Sequence, residues 1–95
     1  MTEKITQLLE SYSVDYEIKE IKEEGRNEIT FCIGDNKGTI FTHDGATPFE
    51  EWFMGGFERG VMIVCREYPL MDRALLHLSQ LIKQAIKESH YKGFN

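Results

Sequence analysis

The one place where a base adjoins a carboxylate at a predicted strand end is His43–Asp44, before Gly45. Catalysis there would need a carboxylate that orients the imidazole and a nucleophile or bound water within its reach. Neighbouring residues of a strand point to opposite faces, so the two form a poor pair. The cysteines and serines lie in no nucleophile-elbow or Cys–His motif. We therefore expect no catalytic residue and no enzymatic activity.

Metal binding would need histidines, cysteines or carboxylates at short turn or helical spacing. The histidines and cysteines are instead far apart, at His43, His77, His90, Cys32 and Cys65. No secretory context supports a disulfide, so both cysteines are expected to be reduced and packed. The glycines show no phosphate-loop pattern with an adjoining Lys-Ser or Lys-Thr pair. We expect neither a metal site nor a cofactor.

Size and charge narrow the function further. The chain has 95 residues, 41% of them hydrophobic, and a net charge of −5. This length predicts one domain spanning residues 1–95. The longest apolar run, Val61 to Cys65, is much too short to span a bilayer, so we expect a soluble cytoplasmic protein that binds no membrane. No basic stripe could neutralise a row of phosphates, which disfavours direct binding to nucleic acid.

The element that must position any site is a long helix predicted from Pro69 to Lys92. Its apolar residues share one arc of the helical wheel. They are Leu70, Met71, Ala74, Leu75, Leu78, Leu81, Ile82, Ala85 and Ile86. Leu76 breaks the pattern, because it lies in the middle of the polar arc. The helix is therefore predicted to pack on a sheet, with Leu76 exposed.

The remaining elements are predicted from shorter patterns. Thr2 can cap an N-terminal helix, and alternating residues then predict three antiparallel strands over Val14–Ile21, Glu28–Ile33 and Gly38–His43, with a bulge near Lys19 and Glu20 in the first strand. Thr47, Pro48 and Glu50 match a capping box, which predicts a short aromatic helix ending at Gly55 and Gly56. Val61 to Cys65 predicts a fourth strand, central or covered on both faces. The fold class is α+β.

Without a catalytic constellation, the sequence favours a small interaction protein that regulates or inhibits a protein partner, or first pairs as a homodimer. An acidic surface containing Glu17, Glu20 and Glu23 could compete with nucleic acid for a basic groove of that partner. Small helix-plus-meander proteins encoded by phages use this strategy, an analogy of layout without matching motifs. Met54 and Leu76 are the expected apolar contact residues. A solvated acidic surface that only maintains solubility is an equal alternative.

The second function class is a small-molecule or nucleotide binding protein. Its pocket would lie between the Phe49–Phe57 segment and the strand Val61–Arg66. Trp52 and Phe53 would supply aromatic walls, and Arg59 or Arg66 would hold an anionic group. This alternative predicts that a small ligand stabilises the folded chain.

Overall fold

The computed structural model describes residues 1–47, 50–58, 63–65 and 71–93. Two helices and five strands make up this part of the chain. In order they are α1 (Thr2–Ser11), β1 (Tyr16–Ile21), β2 (Arg26–Ile33), β3 (Asn36–His43), β4 (Trp52–Phe57), β5 (Ile63–Cys65) and α2 (Met71–Gly93). The strands form one antiparallel sheet in the order β1-β2-β3-β4-β5. The predicted α+β class, with an N-terminal helix, an antiparallel sheet and a packed C-terminal helix, is confirmed.

Strand alternation gives the sheet an inner face that is buried. One cross-strand row pairs Ile18 with Ile29, Ile29 with Ile40 and Ile40 with Gly55. In β1 to β4, the buried hydrophobic residues all have this parity, and they are Ile29, Phe31, Ile33, Ile40, Phe53 and Phe57. A slip of one residue would expose this whole set, so burial fixes the register.

Both helices pack on the inner face. Helix α1 buries Ile5 and Leu9 in the same core cluster to which α2 contributes Leu78 and Ile82. Burying each such side chain stabilises the fold by about 1.5–3 kcal/mol. The phenol of Tyr12 and the hydroxyl of Ser79 are 2.6 Å apart, which joins the end of α1 to α2. Within the described residues, neither helix is long and apolar enough to cross a membrane.

The predicted short aromatic helix is wrong, because Trp52–Phe57 forms strand β4. Thr47 and Glu50 of the predicted capping box nevertheless form a single hydrogen-bonded turn. The backbone N–H of Glu50 donates to the Thr47 carbonyl at 3.1 Å, and the Glu50 carboxylate accepts from the Thr47 N–H at 3.2 Å. After this turn the chain extends, because alternation buries Phe53 and Phe57 on the inner face while pairing with β3 satisfies the backbone. Pro48 and Phe49 lie outside the described residues.

Three smaller expectations also change. Strand β1 pairs with β2 in continuous register from Tyr16 to Ile21, so the predicted bulge is absent and Ile21 lies on the face opposite the helices. Strand β5 is at the edge of the described sheet and not central. Thr2 is the first residue of α1, not its cap, and its hydroxyl bonds elsewhere. Pro69 lies outside the described residues, and α2 is described from Met71.

Two glycines let β3 approach its neighbours closely. The Phe31 ring lies over Gly38 and meets Phe57 edge to face, with ring centroids 5.5 Å apart. A Cβ at Gly38 would overlap this ring, whereas a Cβ at Gly55 would overlap the Thr39 carbonyl oxygen. Gly55 also has a φ of +155°. An aromatic ring that covers a strand glycine is a known way of filling the space left by a missing side chain.

We predict that Gly38→Ala lowers the free energy of unfolding by about 1–3 kcal/mol, because the added methyl group displaces the Phe31 ring. In a Phe31→Leu background, the same change should cost clearly less. Urea unfolding of the four combinations gives the coupling energy directly. Gly55→Ala is the matched control, since its clash is with backbone and Phe31→Leu should not relieve it. Additive losses for Gly38 and Phe31 would contradict the packing described.

Candidate functional site on the outer face of the sheet

The outer face, the side of the sheet opposite the helices, carries a cluster of large side chains. Cross-strand pairing places Phe41 beside Met54 and His43 beside Trp52. Arg26 begins β2 on the same face. We call these five residues the aromatic patch. Alternation along β3 and β4 explains why these side chains share a face. The residues that alternate with them, Ile40, Thr42 and Phe53, point to the inner face and are buried.

Direct contacts hold the side chains of the aromatic patch in place. The guanidinium of Arg26 lies 4.4 Å from the centroid of the Phe41 ring, and a contact with the Glu24 carboxylate fixes its other side. The rings of His43 and Trp52 stack with centroids 5.8 Å apart and planes 17° apart. His43 Nδ1 donates to the Gly25 carbonyl at 2.7 Å, which orients the imidazole. The patch is therefore ordered before any ligand binds.

The aromatic patch is partly open to solvent. Phe41, His43, Trp52 and Met54 are all half-buried. A shallow groove of about 410 Å³ runs beside Phe41 and Met54, where Gly56 has no side chain to fill it. Neither helix covers this side, because both pack on the inner face. Large apolar groups at the centre of a face that no described helix covers are typical of a binding surface.

Charges around the aromatic patch are mixed. Outer-face positions of the described strands, and the residue directly after β4, carry three carboxylates and three basic groups. The carboxylates are Glu17, Glu28 and Glu58, and the basic groups are Lys19, Arg26 and Lys37. Neither sign dominates, so this face offers no strong field for a phosphate or for another highly charged ligand.

The three predicted acidic contact residues do not share a face. Glu17 pairs with Thr30 and lies on the outer face, whereas Glu20 pairs with Asn27 and has the parity of the inner face. Glu23 lies in the 3-10 turn Lys22–Glu24 that joins β1 to β2. All three are exposed. Glu17 lies near the start of β1 and Glu23 lies beyond its end, so the three residues do not form one continuous acidic surface.

The two predicted apolar contact residues lie on opposite sides of the molecule. Leu76 is 60% exposed on α2, as the helical wheel predicts. Met54 is half-buried in β4 and belongs to the outer face. Since α2 packs on the inner face, the sheet separates the two residues, and a single contact surface cannot contain both.

The two residues predicted as aromatic walls of the alternative ligand pocket do not face one site. Trp52 and Phe53 are neighbours in a strand, so they point to opposite faces, and Phe53 is 1% exposed in the core. Residues 53–55 of β4 pair directly with Ile63–Cys65, so these described parts of the two segments are neighbouring strands and not two walls of a cleft. Arg59 and Arg66 lie outside the described residues. The described part of β4 does line a groove, which lies beside Phe41 and Met54.

Sequence reasoning missed Arg26, Phe41 and His43 as members of one patch. The period-two alternation of β3 was visible, and it already placed Phe41 and His43 on the same face. The missing information was that β4, not a helix, lies beside them. Cys32 was expected to be packed, and this was wrong, because it is exposed at the end of β2.

His43 and Asp44 do not act on each other. Asp44 accepts hydrogen bonds from the Met1 amino group at 2.5 Å, from the Thr2 N–H at 2.8 Å and from the Thr2 hydroxyl at 2.6 Å. His43 is turned instead towards Gly25 and Trp52. Across the described residues, no group of three or more His, Cys, Asp or Glu side chains is arranged to hold a metal ion.

Comparisons with known proteins give no family for this chain. No protein-family model, curated protein or solved structure matches it. The proposal for its function therefore rests on the geometry and composition of its surfaces.

Asp44 makes the strand end sensitive to acid. Partial burial opposes its ionisation, but the hydrogen bonds from the Met1 amino group and from Thr2 favour the carboxylate and lower its pKa from 3.8 to about 2. A carboxyl group with a depressed folded-state pKa stabilises the fold above its unfolded pKa. The stabilisation is therefore complete above about pH 4 and is lost as the pH falls towards 2.

We predict that Asp44→Asn lowers stability at pH 7 by about 1 kcal/mol, a modest value because the side chain is half exposed and solvent screens its charge. The difference from wild type should narrow at pH 2. Urea midpoints at both pH values measure it. Asp15→Asn, a change at an exposed carboxylate, is the control and should behave as wild type does. An Asp44→Asn loss of equal size at pH 7 and pH 2 would contradict the assignment.

Proposed function

We propose that the chain is a non-catalytic interaction protein, a regulator or inhibitor that binds a protein partner through the outer face of its sheet. The observation that carries this proposal is the ordered aromatic patch on a face that neither helix covers. Such a face leaves apolar area in water that a partner can bury.

The composition of the aromatic patch supports a protein as the partner. Aromatic residues, Met and Arg are enriched at the centres of protein interfaces, whereas Lys, Glu and Asp are depleted there. Phe41, Trp52 and Met54 are of the enriched types, and Arg26 adds a guanidinium stacked on Phe41. Charged residues such as Glu17, Lys19 and Lys37 lie around this centre, as expected for a rim.

Charge makes other macromolecules poor partners. The outer face has balanced charges and the chain as a whole carries −5, so a polyanion gains little by approaching it. The same argument applies to an anionic membrane surface. Glu17, Glu20 and Glu23 are exposed and would raise the association rate with a basic protein partner by long-range attraction, but only Glu17 lies on the outer face itself. This is a narrower role than a continuous acidic surface competing with nucleic acid.

A small-molecule function is the second candidate, because of the groove beside Phe41 and Met54. Its volume of about 410 Å³ lies within the usual range for ligand pockets, roughly 300–1,000 Å³. The groove is shallow, and its lining includes the charged residues Lys37 and Glu58. A ligand there would raise the melting temperature of wild type but not of a Met54→Glu variant.

We predict that Met54→Glu reduces partner binding at least about tenfold, since it places a carboxylate at the centre of the apolar contact. Both the wild type and the variant should fold, because Met54 lies outside the core. Quantitative capture from the native cell, then calorimetry with the purified partner, measures the change.

Leu76→Glu is the matched control, because it introduces the same charge at an exposed apolar residue of α2. It should bind the partner as wild type does. The opposite result, with binding lost for Leu76→Glu and kept for Met54→Glu, would move the contact surface from the sheet to the helix.

A further inference from the structure

Among the residues that the structure describes, no strand pairs with one side of the β1 backbone. In the described sheet it pairs with β2 alone, from Tyr16 to Ile21. The N–H and C=O groups on its other side can therefore pair with another strand. Ile18 lies in the middle of β1, and although it has inner-face parity it is 49% exposed. An exposed isoleucine on an unpaired strand edge marks a surface that a partner strand could bury.

We propose that β1 pairs antiparallel with β1 of a second copy of this chain, about a two-fold axis at Ile18. The two five-stranded sheets then form one continuous sheet with all helices on the same side. At the axis, Ile18 lies opposite Ile18 of the second copy, so both exposed side chains lose water contact together. The occupant of the edge is thus the chain itself.

Charge complementarity supports this register. With the axis at Ile18, Glu17 lies opposite Lys19 of the second copy, and the two-fold symmetry repeats the pair. Opposite charges directly across an antiparallel pair are stabilising. Tyr16 lies opposite Glu20 of the second copy, and its hydroxyl already donates to Glu10 of its own chain. Glu17 and Lys19, the two charged residues beside the axis, therefore each face a residue of opposite charge.

Neighbouring registers that keep the helices on one side lack this match. An axis at Glu17 places two glutamates opposite each other, and an axis at Lys19 places two lysines opposite each other. Like charges directly opposite are destabilising. Moving the axis to Lys19 also sets Ile18 against Glu20. Of these three registers, only the one at Ile18 avoids a like-charge pair at the axis and sets the two exposed isoleucines against each other.

Charged residues on an edge strand often prevent strand pairing with other proteins. In β1 the charges of Glu17 and Lys19 disfavour pairing with most foreign strands and in many other registers. In the Ile18 register they favour pairing with a second copy of β1. The dimer does not depend on the proposed function, because none of the five residues of the aromatic patch belongs to β1; Glu17 and Lys19 lie only in the charged rim around the patch. It would place two aromatic patches on one side of a single sheet.

A six-residue strand buries little area, so we expect a reversible dimer with a dissociation constant on the order of 10–100 µM. Sedimentation at increasing concentration should show the mass rising from 11.1 kDa to twice that value. The variants Glu17→Lys and Lys19→Glu each create two like-charge pairs, and each should weaken the dimer at least about tenfold. Ile18→Lys should have the same effect.

The double variant Glu17→Lys with Lys19→Glu restores opposite charges, so it should dimerise like wild type. An equimolar mixture of the two single variants should form heterodimers for the same reason. Glu23→Lys is the control for net charge, because Glu23 lies outside β1 and should not change the dimer. Circular dichroism of each variant confirms that the exposed substitutions leave the fold intact.

A wild type that stays monomeric at about 0.5 mM, well above the expected dissociation constant, would overturn the proposal. Single variants that dimerise as wild type does would also overturn it. Loss of the dimer in the single variants without recovery in the double variant or the mixture would reject this register. Met54→Glu separates the dimer from partner binding, since it should leave the dimer unchanged whether or not the proposed function is correct.

Discussion

The structure depends on one packing arrangement, in which both helices cover the same face of the sheet. Ile5 and Leu9 of α1 share a core with Leu78 and Ile82 of α2, and the inner-face residues of the central strands complete it. Because this core uses both helices, the described structure has no second layer for the other face. Strand alternation then decides which residues face solvent, and that choice brings the aromatic patch to the surface.

The inner face therefore determines the site on the outer face. Burial of Ile29 and Ile40 fixes the register of β2 and β3, and the same register sets Phe41 beside Met54. The contacts of Arg26 and His43 add local order without covering the patch. A surface that is fixed by the core loses little conformational entropy when a partner binds, which favours affinity.

Sequence alone predicted the parts of the fold whose patterns are long. The arc of α2 and the alternation of β2 and β3 were clear, and Leu76 is exposed as its position in the polar arc indicated. The segment around Trp52 was predicted as a helix because Thr47 and Glu50 carry a local capping signal, whereas its pairing with β3 is a non-local interaction. A capping signal fixes one turn and does not determine whether a helix or a strand comes after it.

The candidate site was harder to predict for the same reason. Glu17 and Glu20 are close in sequence, but they are an odd number of residues apart in one strand, so their side chains point to opposite faces of the sheet. Phe41 and Arg26 are 15 positions apart and meet only through strand pairing. Without the register, no sequence pattern could show that Phe41, Met54 and Trp52 form one surface.

Trp52 offers the most direct measurement of whether this outer face is open to solvent, because it is the single tryptophan of the chain. Acrylamide quenching of its fluorescence in the free native protein reports the access of solvent to the indole. We predict efficient quenching, between that of a buried and that of a fully exposed tryptophan, as its half-buried position beside His43 requires. A blue-shifted emission that acrylamide barely quenches would place Trp52 in a covered core and contradict the account.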